Sequence, residues 1–84
     1  MWQVYFIYSL KYGITYVGMS QDPGERLIHH NKGGSSFTSG HIPWVLFYTE
    51  FCKDSLDAGA KEKYYKSTGR PIVKQKLAVF LKSN

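Results

Sequence analysis

The sequence predicts a small α+β domain, in which helices flank a mainly antiparallel three-stranded sheet in the order ββαβαα. Three observations support this class. Two segments near the N-terminus alternate with the period of a strand, a central segment is rich in aromatic and β-branched residues, and the C-terminal third has helical spacing. With 84 residues, the chain has room for one domain over residues 1–84 and one small core.

The first two predicted strands form a hairpin. Residues 2–10 alternate in the way that is typical of a half-buried strand, and residues 14–20 follow the same pattern. Residues 11–13 supply the turn between them. Tyr5 and Tyr16 then share the less apolar face of the sheet, where cross-strand neighbours are about 5 to 8 Å apart. Two hydroxyl groups are therefore expected to converge on one small ligand.

A helix is predicted from about Pro23 to Asn31. Asp22 is a suitable N-cap, proline fits the first turn, and two glycines after residue 32 stop the helix. Arg26 and His30 are four residues apart, so they lie on the same face of this helix. Residues 33–40 are predicted to form a polar loop.

The remaining predicted elements are one strand and two helices. The strand covers Trp44–Phe51, and Pro43 marks its entry. A helix capped at residue 54 or 55 runs to about Ser67. Pro71 opens the last helix, whose apolar stripe is formed by Val73, Leu77, Phe80 and Leu81.

The charge of the chain is uneven. Lysine and arginine number 11 against 6 aspartate and glutamate residues, a net charge of +5, and the whole excess lies in residues 53–84. A one-sided basic surface attracts a polyanion, most commonly nucleic acid, although a solvated lysine-rich helical face is an equally good interpretation of composition alone. The residues expected to contact nucleic acid are Lys63, Lys66, Arg70, Lys74 and Lys76.

Cysteine content and the N-terminal segment exclude several classes of protein. Cys52 is the only cysteine, so the chain has no intramolecular disulfide and no thiolate zinc cluster, and this residue is expected in the core. Residues 1–10 are apolar but lack a basic leader and are interrupted by polar side chains, which excludes a signal peptide or a membrane span. A cytoplasmic protein is expected.

A series of short motifs carries the functional information. It begins with two aromatic motifs, Val4-Tyr5 and Tyr16-Val17-Gly18, and continues with Arg26-Leu27, His30-Asn31, Thr38, Pro43-Trp44, Ala58, Glu62 and Lys66. The ordered series spans residues 2 to roughly 70 and closely resembles the GIY-YIG nuclease domain, more narrowly its small stand-alone members. The chain departs from the family at Gln3, where glycine is usual, but that glycine is a backbone feature and not a reacting group.

The resemblance implies an endonuclease that depends on a divalent metal and hydrolyses phosphodiester bonds in DNA. Relatives of the small members include the excision-repair nuclease subunit and certain homing endonucleases, which implies a role in DNA repair or processing. Cleavage that is structure-specific or weakly sequence-specific is expected. A partner protein or a homodimer is possible, and no membrane is implied.

The resemblance also assigns roles to individual residues. Glu62 would be the single carboxylate that holds Mg²⁺, or Mn²⁺, together with substrate phosphate and water. Arg26 would grip the scissile phosphate through its planar guanidinium. Tyr5 or Tyr16 would take the proton from the attacking water, with Tyr5 preferred, and His30 would position or tune that tyrosine.

The pKa of the tyrosine base is a further requirement. A phenol titrates near pH 10, so a tyrosine that acts as a base near neutrality needs positive charge beside it. Arg26, Lys66 or the metal ion can provide that charge.

Simpler interpretations remain for each of these residues. Glu62 and Lys66 have the spacing of an ordinary helix ion pair, and the tyrosines can be strand aromatics. A metal site formed by the three histidines, His29, His30 and His41, ranks lower, because adjacent helical residues diverge by about 100°.

Two functions without catalysis also stay open at this point. One is a nucleic-acid-binding module that uses the basic C-terminal third together with exposed aromatics such as Tyr12 or Phe37. The other is an interaction domain that keeps the fold and recruits a partner enzyme.

Overall fold

The computed structural model describes residues 1–83 and confirms the predicted fold class and element order. The strands are β1 (Gln3–Ser9), β2 (Thr15–Ser20) and β3 (Trp44–Phe51), in the antiparallel sheet order β2-β1-β3. The helices are α1 (Pro23–Asn31), α2 (Ser36–Ser39), α3 (Ser55–Lys66) and α4 (Arg70–Lys82).

The central strand, β1, is buried on both faces. Four consecutive residues are each at most 1 % exposed: Val4, Tyr5, Phe6 and Ile7. The prediction that only one face of this strand is buried is therefore wrong. The reason is that a separate helical layer covers each face of the sheet. On one face, α3 and α4 contribute to a core of Val4, Phe6, Val17, Cys52, Ala58, Tyr65 and Val73. On the other face, α1 contributes Leu27 to a cluster with Tyr5, Ile7, Tyr16 and Trp44.

The register of the hairpin determines how the two tyrosines meet. Tyr5 pairs with Gly18, and Ile7 pairs with Tyr16. Tyr5 and Tyr16 are therefore diagonal neighbours on one face, as predicted, and belong to the same apolar cluster.

The first helix has the predicted bounds, and the segment after it does not. Asp22 caps α1, since its Oδ1 accepts a hydrogen bond from the Glu25 N–H at 3.1 Å. Within the predicted loop 33–40, residues 36–39 form the single helical turn α2. This turn carries Thr38 into the interior, where its side chain is fully buried and hydrogen-bonded.

The two C-terminal helices agree with the prediction apart from one apolar residue. Asp54 caps α3, and α4 begins one residue earlier than expected. Val73 is buried and the Phe80 ring lies 5.9 Å from the Phe47 ring, but Leu81 is 48 % exposed and does not belong to the packed stripe. At 3.6 residues per turn, Leu81 lies about 80° around the helix from Val73, at the margin of the packed face.

Two further predictions concern Cys52 and membrane insertion. Cys52 is 3 % exposed within the core, as expected. Among the helices of residues 1–83, none combines the length and the apolar character needed to cross a bilayer.

Candidate active site

Tyr5 projects from the middle of the sheet, and Gly18 makes room for it. A Cβ atom at Gly18 would lie 2.9 Å from Cε1 of Tyr5 and closer still to Cζ and the hydroxyl oxygen. Because glycine has no side chain, the phenol can cross β2 at this point. Gly18, in the second aromatic motif, is therefore needed so that Tyr5, in the first motif, has room for its ring.

The Tyr5 hydroxyl meets a buried histidine. It lies 2.8 Å from Nε2 of His30, which is fully buried, and Nδ1 of the same ring lies 2.7 Å from Oγ1 of Thr38. Three side chains from β1, α1 and α2 thus form one continuous hydrogen-bond chain. The prediction that His30 positions or tunes a tyrosine has a geometric basis in this chain.

Burial determines which atoms carry the protons in the hydrogen bonds among Tyr5, His30 and Thr38. Burial raises the pKa of the Tyr5 hydroxyl above its ordinary value of 10.0, although the neighbouring Arg26 guanidinium opposes the increase. Burial also lowers the pKa of His30 below 6.5, assisted by the charges of Arg26 and His29. Near neutrality the phenol is protonated and the imidazole is neutral. Tyr5 therefore donates to Nε2, and the single imidazole proton lies on Nδ1 and is donated to Thr38.

Three residues to which the sequence analysis assigned no role hold the hydrogen bonds of Tyr5, His30 and Thr38 in place. The Trp44 indole N–H donates to the backbone oxygen of Thr38 at 2.9 Å. The Asn31 side chain accepts from the Trp44 N–H at 2.7 Å and donates to the Trp44 carbonyl at 3.0 Å. Asn31, Thr38 and Trp44 belong to the motif series, but only their contacts show that they support His30.

Arg26 lies one helical turn before His30, beside the Tyr5 hydroxyl. Its charge lowers the pKa of Tyr5, although burial outweighs this effect. Its Nε atom is buried and has no hydrogen-bond partner in residues 1–83. The side chain as a whole is half-buried, and the rest of its planar guanidinium is suited to bind an external acceptor such as a phosphate oxygen.

Glu62 forms the helix ion pair of the simpler interpretation and also lies near the tyrosines. Its Oε2 is 3.1 Å from Nζ of Lys66. The same ammonium lies 5.2 Å from the ring centroid of Tyr16, and the Glu62 charge raises the pKa of Tyr5. The carboxylate therefore lies within electrostatic range of both tyrosines, while its charge is partly neutralised by a neighbouring lysine.

The five basic residues predicted to contact nucleic acid occupy more than one surface. Lys66 lies over Tyr16, and the Arg70 guanidinium donates to Oγ1 of Thr15 at 3.0 Å, which places both cations along β2. Lys76 instead lies 4.9 Å from the ring centroid of Tyr48, on β3. The other two, Lys63 and Lys74, are exposed.

The side chains at the site suit a metal ion held by one carboxylate better than a metal ion enclosed by three or more protein ligands. Residues 1–83 contain no group of three histidine, cysteine or acidic side chains arranged to bind a metal, so the histidine site considered above is not formed. Both nitrogens of His30 already have partners. Glu62 is a hard oxygen ligand with a partly exposed side chain, which suits Mg²⁺ with its water shell and substrate phosphate.

Comparisons with known proteins agree with this chemistry. The family model described as the GIY-YIG catalytic domain matches residues 1–77. Proteins described as UPF0213 proteins in Bacillus thuringiensis subsp. konkukian and in Bacillus anthracis are each 33 % identical to this chain over 67 residues. The matched region covers 79 % of this chain and 70 % of each relative. No solved structure matches the chain significantly.

Proposed function

This chain belongs to the GIY-YIG family of nucleases, which hydrolyse phosphodiester bonds in DNA, and on this basis we propose that it is a structure-specific or weakly sequence-specific endonuclease. Family members are generally dependent on a divalent metal, and Mg²⁺ or Mn²⁺ is the proposed ion for this chain. The observation that carries the proposal is the 2.8 Å hydrogen bond between the Tyr5 hydroxyl and the buried, neutral His30.

The proposed base is Tyr5 in its protonated form. Its oxygen accepts a proton from the attacking water while its own proton passes to Nε2 of His30. The imidazole becomes an imidazolium, whose Nδ1–H remains hydrogen-bonded to Thr38 at 2.7 Å. In this relay no free phenolate has to accumulate, which is important because burial raises the pKa of the Tyr5 hydroxyl. Tyr16, on the same face, would help to orient the water.

The proposed role of Arg26 is to bind the scissile phosphate. The position of its half-buried guanidinium beside the Tyr5 hydroxyl supports this role, because a phosphate oxygen gains charge during attack and the cation would stabilise it. Glu62 would hold the cation. When bound, the divalent ion supplies Lewis-acid stabilisation of charge on the leaving oxygen.

The proposed setting is DNA repair or processing in the cytoplasm. The buried free thiol of Cys52 is compatible with a reducing compartment.

A cleavage assay with site variants tests the proposal. Supercoiled plasmid, branched DNA and single strands are incubated with Mg²⁺, with Mn²⁺ or with a chelator. Glu62→Gln and Arg26→Ala should each lower the rate by about 100-fold or more, the usual cost of removing one preorganised electrostatic group. Glu25→Gln, which removes an exposed carboxylate of α1, is the matched control.

The results separate the alternatives. Nicking by both site variants at the parental rate would show that the assigned site is wrong. If all proteins are inert yet shift DNA in a gel at low salt, the non-catalytic binding module is favoured.

A further inference from the structure

Four aromatic rings form a row that starts at the candidate active site. The Tyr16 ring is stacked on Phe37, with centroids 6.0 Å apart and an interplanar angle of 24°. Phe37 in turn lies 4.8 Å from His41, and His41 lies 5.0 Å from Tyr12. These four residues, here called the aromatic row, come from β2, the β1–β2 turn and the segment around α2.

The aromatic row lies at the surface, and only Tyr16 also packs against the apolar cluster that contains Tyr5 and Trp44. Tyr12 and Phe37 are each 51 % exposed, and His41 and Tyr16 are partly exposed. The row is nevertheless ordered by the backbone. His41 Nδ1–H donates to the Phe37 carbonyl at 3.0 Å, and the Tyr12 N–H donates to Oγ of Ser9 at 3.2 Å. Half-exposed rings on an ordered frame are available to a ligand at little conformational cost.

Positive charge lies at both ends of the row. The Lys66 ammonium is 5.2 Å from the Tyr16 ring centroid, and the Lys11 ammonium is 5.6 Å from the Tyr12 ring centroid. The Lys66 ammonium is also bonded to the Glu62 carboxylate at 3.1 Å, which partly neutralises its charge. Aromatic rings flanked by cations are the arrangement that binds unpaired nucleotides, because bases stack on the rings while phosphates meet the charges.

We propose that the aromatic row binds unpaired bases of single-stranded DNA next to the scissile phosphate. The inference rests on the proposed function, because the row shares Tyr16 with the candidate active site. It specifies the substrate as DNA with a single-stranded segment, such as a flap, a gap or a free strand. A fully paired duplex would not present its base faces to the row, since they are stacked within the helix.

Equilibrium binding without divalent metal tests the inference independently of cleavage. Fluorescence anisotropy is measured for a labelled single strand and for the blunt duplex of the same sequence, with chelator present. Phe37→Leu removes the central ring but keeps an apolar side chain, and Phe37→Trp keeps an aromatic face. Phe51→Leu is the matched control, because Phe51 is 64 % exposed but lies on β3, away from the row.

The parent protein should bind the single strand more tightly than the duplex. Phe37→Leu should weaken single-strand binding by about 5- to 150-fold, the range for loss of one base–aromatic stack, and should change duplex binding much less. Phe37→Trp should retain single-strand affinity, and Phe51→Leu should match the parent.

Three results would overturn the inference: equal parental affinity for both DNA forms, parental single-strand affinity in Phe37→Leu, or an equal loss for both forms in that variant. Tighter binding of an RNA strand of the same sequence than of the DNA strand would overturn the assignment to DNA. Because no cleavage is measured, a protein that fails the nuclease assay still tests the aromatic row.

Discussion

The Tyr5 phenol lies across Gly18 on the adjacent strand, in space that any side chain at position 18 would occupy. This contact lets the hydroxyl reach Nε2 of His30 on the helix that covers the same face. The two motifs at the start of the chain are thus one steric unit. A glycine on β2 determines where the proposed base on β1 can place its oxygen.

Gly18→Ala should therefore displace the Tyr5 ring and break its bond to His30. We expect a loss of about 1 to 3 kcal/mol in the free energy of unfolding, the usual range for overpacking a core, and a large loss of cleavage. Chemical denaturation and nicking assays measure the two effects. The control is Gly59→Ala in α3, where a new Cβ would be 3.9 Å from the Met19 sulfur and helix propensity favours alanine. Equal activity of Gly18→Ala and the parent would contradict the steric role.

Thr38 should act as a positioning residue for His30. Thr38→Val keeps the shape of the side chain but leaves the buried Nδ1–H without its acceptor at 2.7 Å. A decrease in kcat of about tenfold is expected from the loss of one buried hydrogen bond, with little change in KM. Thr38→Ser retains the hydroxyl and should restore kcat. Equal kcat values for the valine and serine variants would show that the hydroxyl is dispensable.

The loss of cleavage activity at low pH should follow the protonation of His30. Because its pKa lies below 6.5, the imidazole stays neutral down to that pH, and activity is lost only as the pH falls through the lowered value. Protonated His30 has no lone pair for the Tyr5 proton. His29→Gln removes a charge that lowers this pKa, so the acid limb should move upward. A profile of kcat/KM against pH, compared with an NMR titration of His30, is the measurement. A limb centred well above pH 6.5 in the parent would exclude His30 as the proton acceptor.

Lys66 should compete with the divalent ion for Glu62. Its ammonium is 3.1 Å from the carboxylate, so Lys66→Met removes a positive charge from the proposed metal site. The Mg²⁺ concentration for half-maximal cleavage should fall by about 3- to 10-fold, allowing for screening at a partly exposed site. Lys63→Met, on the exposed surface of the same helix, should leave this concentration unchanged. An unchanged midpoint in Lys66→Met would show that the lysine does not oppose the ion.

Glu50 should contribute acid-sensitive stability away from the site. Partial burial disfavours its charge, but hydrogen bonds from Tyr65 at 2.6 Å and from Lys61 hold the pKa of this carboxyl below its ordinary value of 4.5. The contribution is therefore present above pH 4.5 and is lost as the pH falls through the lowered pKa. Glu50→Gln should cost about 1 to 2 kcal/mol at pH 7, and the difference should shrink in acid. Denaturant midpoints between pH 7 and 3 check this, with Glu25→Gln as the control. A difference that does not change with pH would rule out the charge as its cause.

Local patterns in the sequence account for most of the secondary structure. The alternation of residues 2–10, the Asp22 and Asp54 caps and the prolines predict elements that the structure confirms within one or two residues at each end. These signals act over a few residues, through strand periodicity and helix capping, so the sequence alone carries them. The ordered motif series likewise points to the family, and the match over residues 1–77 agrees with it.

Long-range packing decided the rest. The alternation of residues along β1 does not show which strands and helices pack beside it. The strand is buried on both faces because it is central in the order β2-β1-β3 and because helices cover both faces of the sheet. The short α2 has weak local signals and is positioned by the burial of Thr38 against His30, a contact that spans eight residues. The sequence by itself determined most of the secondary-structure elements and the family, and it predicted the reacting groups. Tertiary structure decided which of the two tyrosine hydroxyls bonds the histidine, because that hydrogen bond depends on strand register and on an empty volume at Gly18.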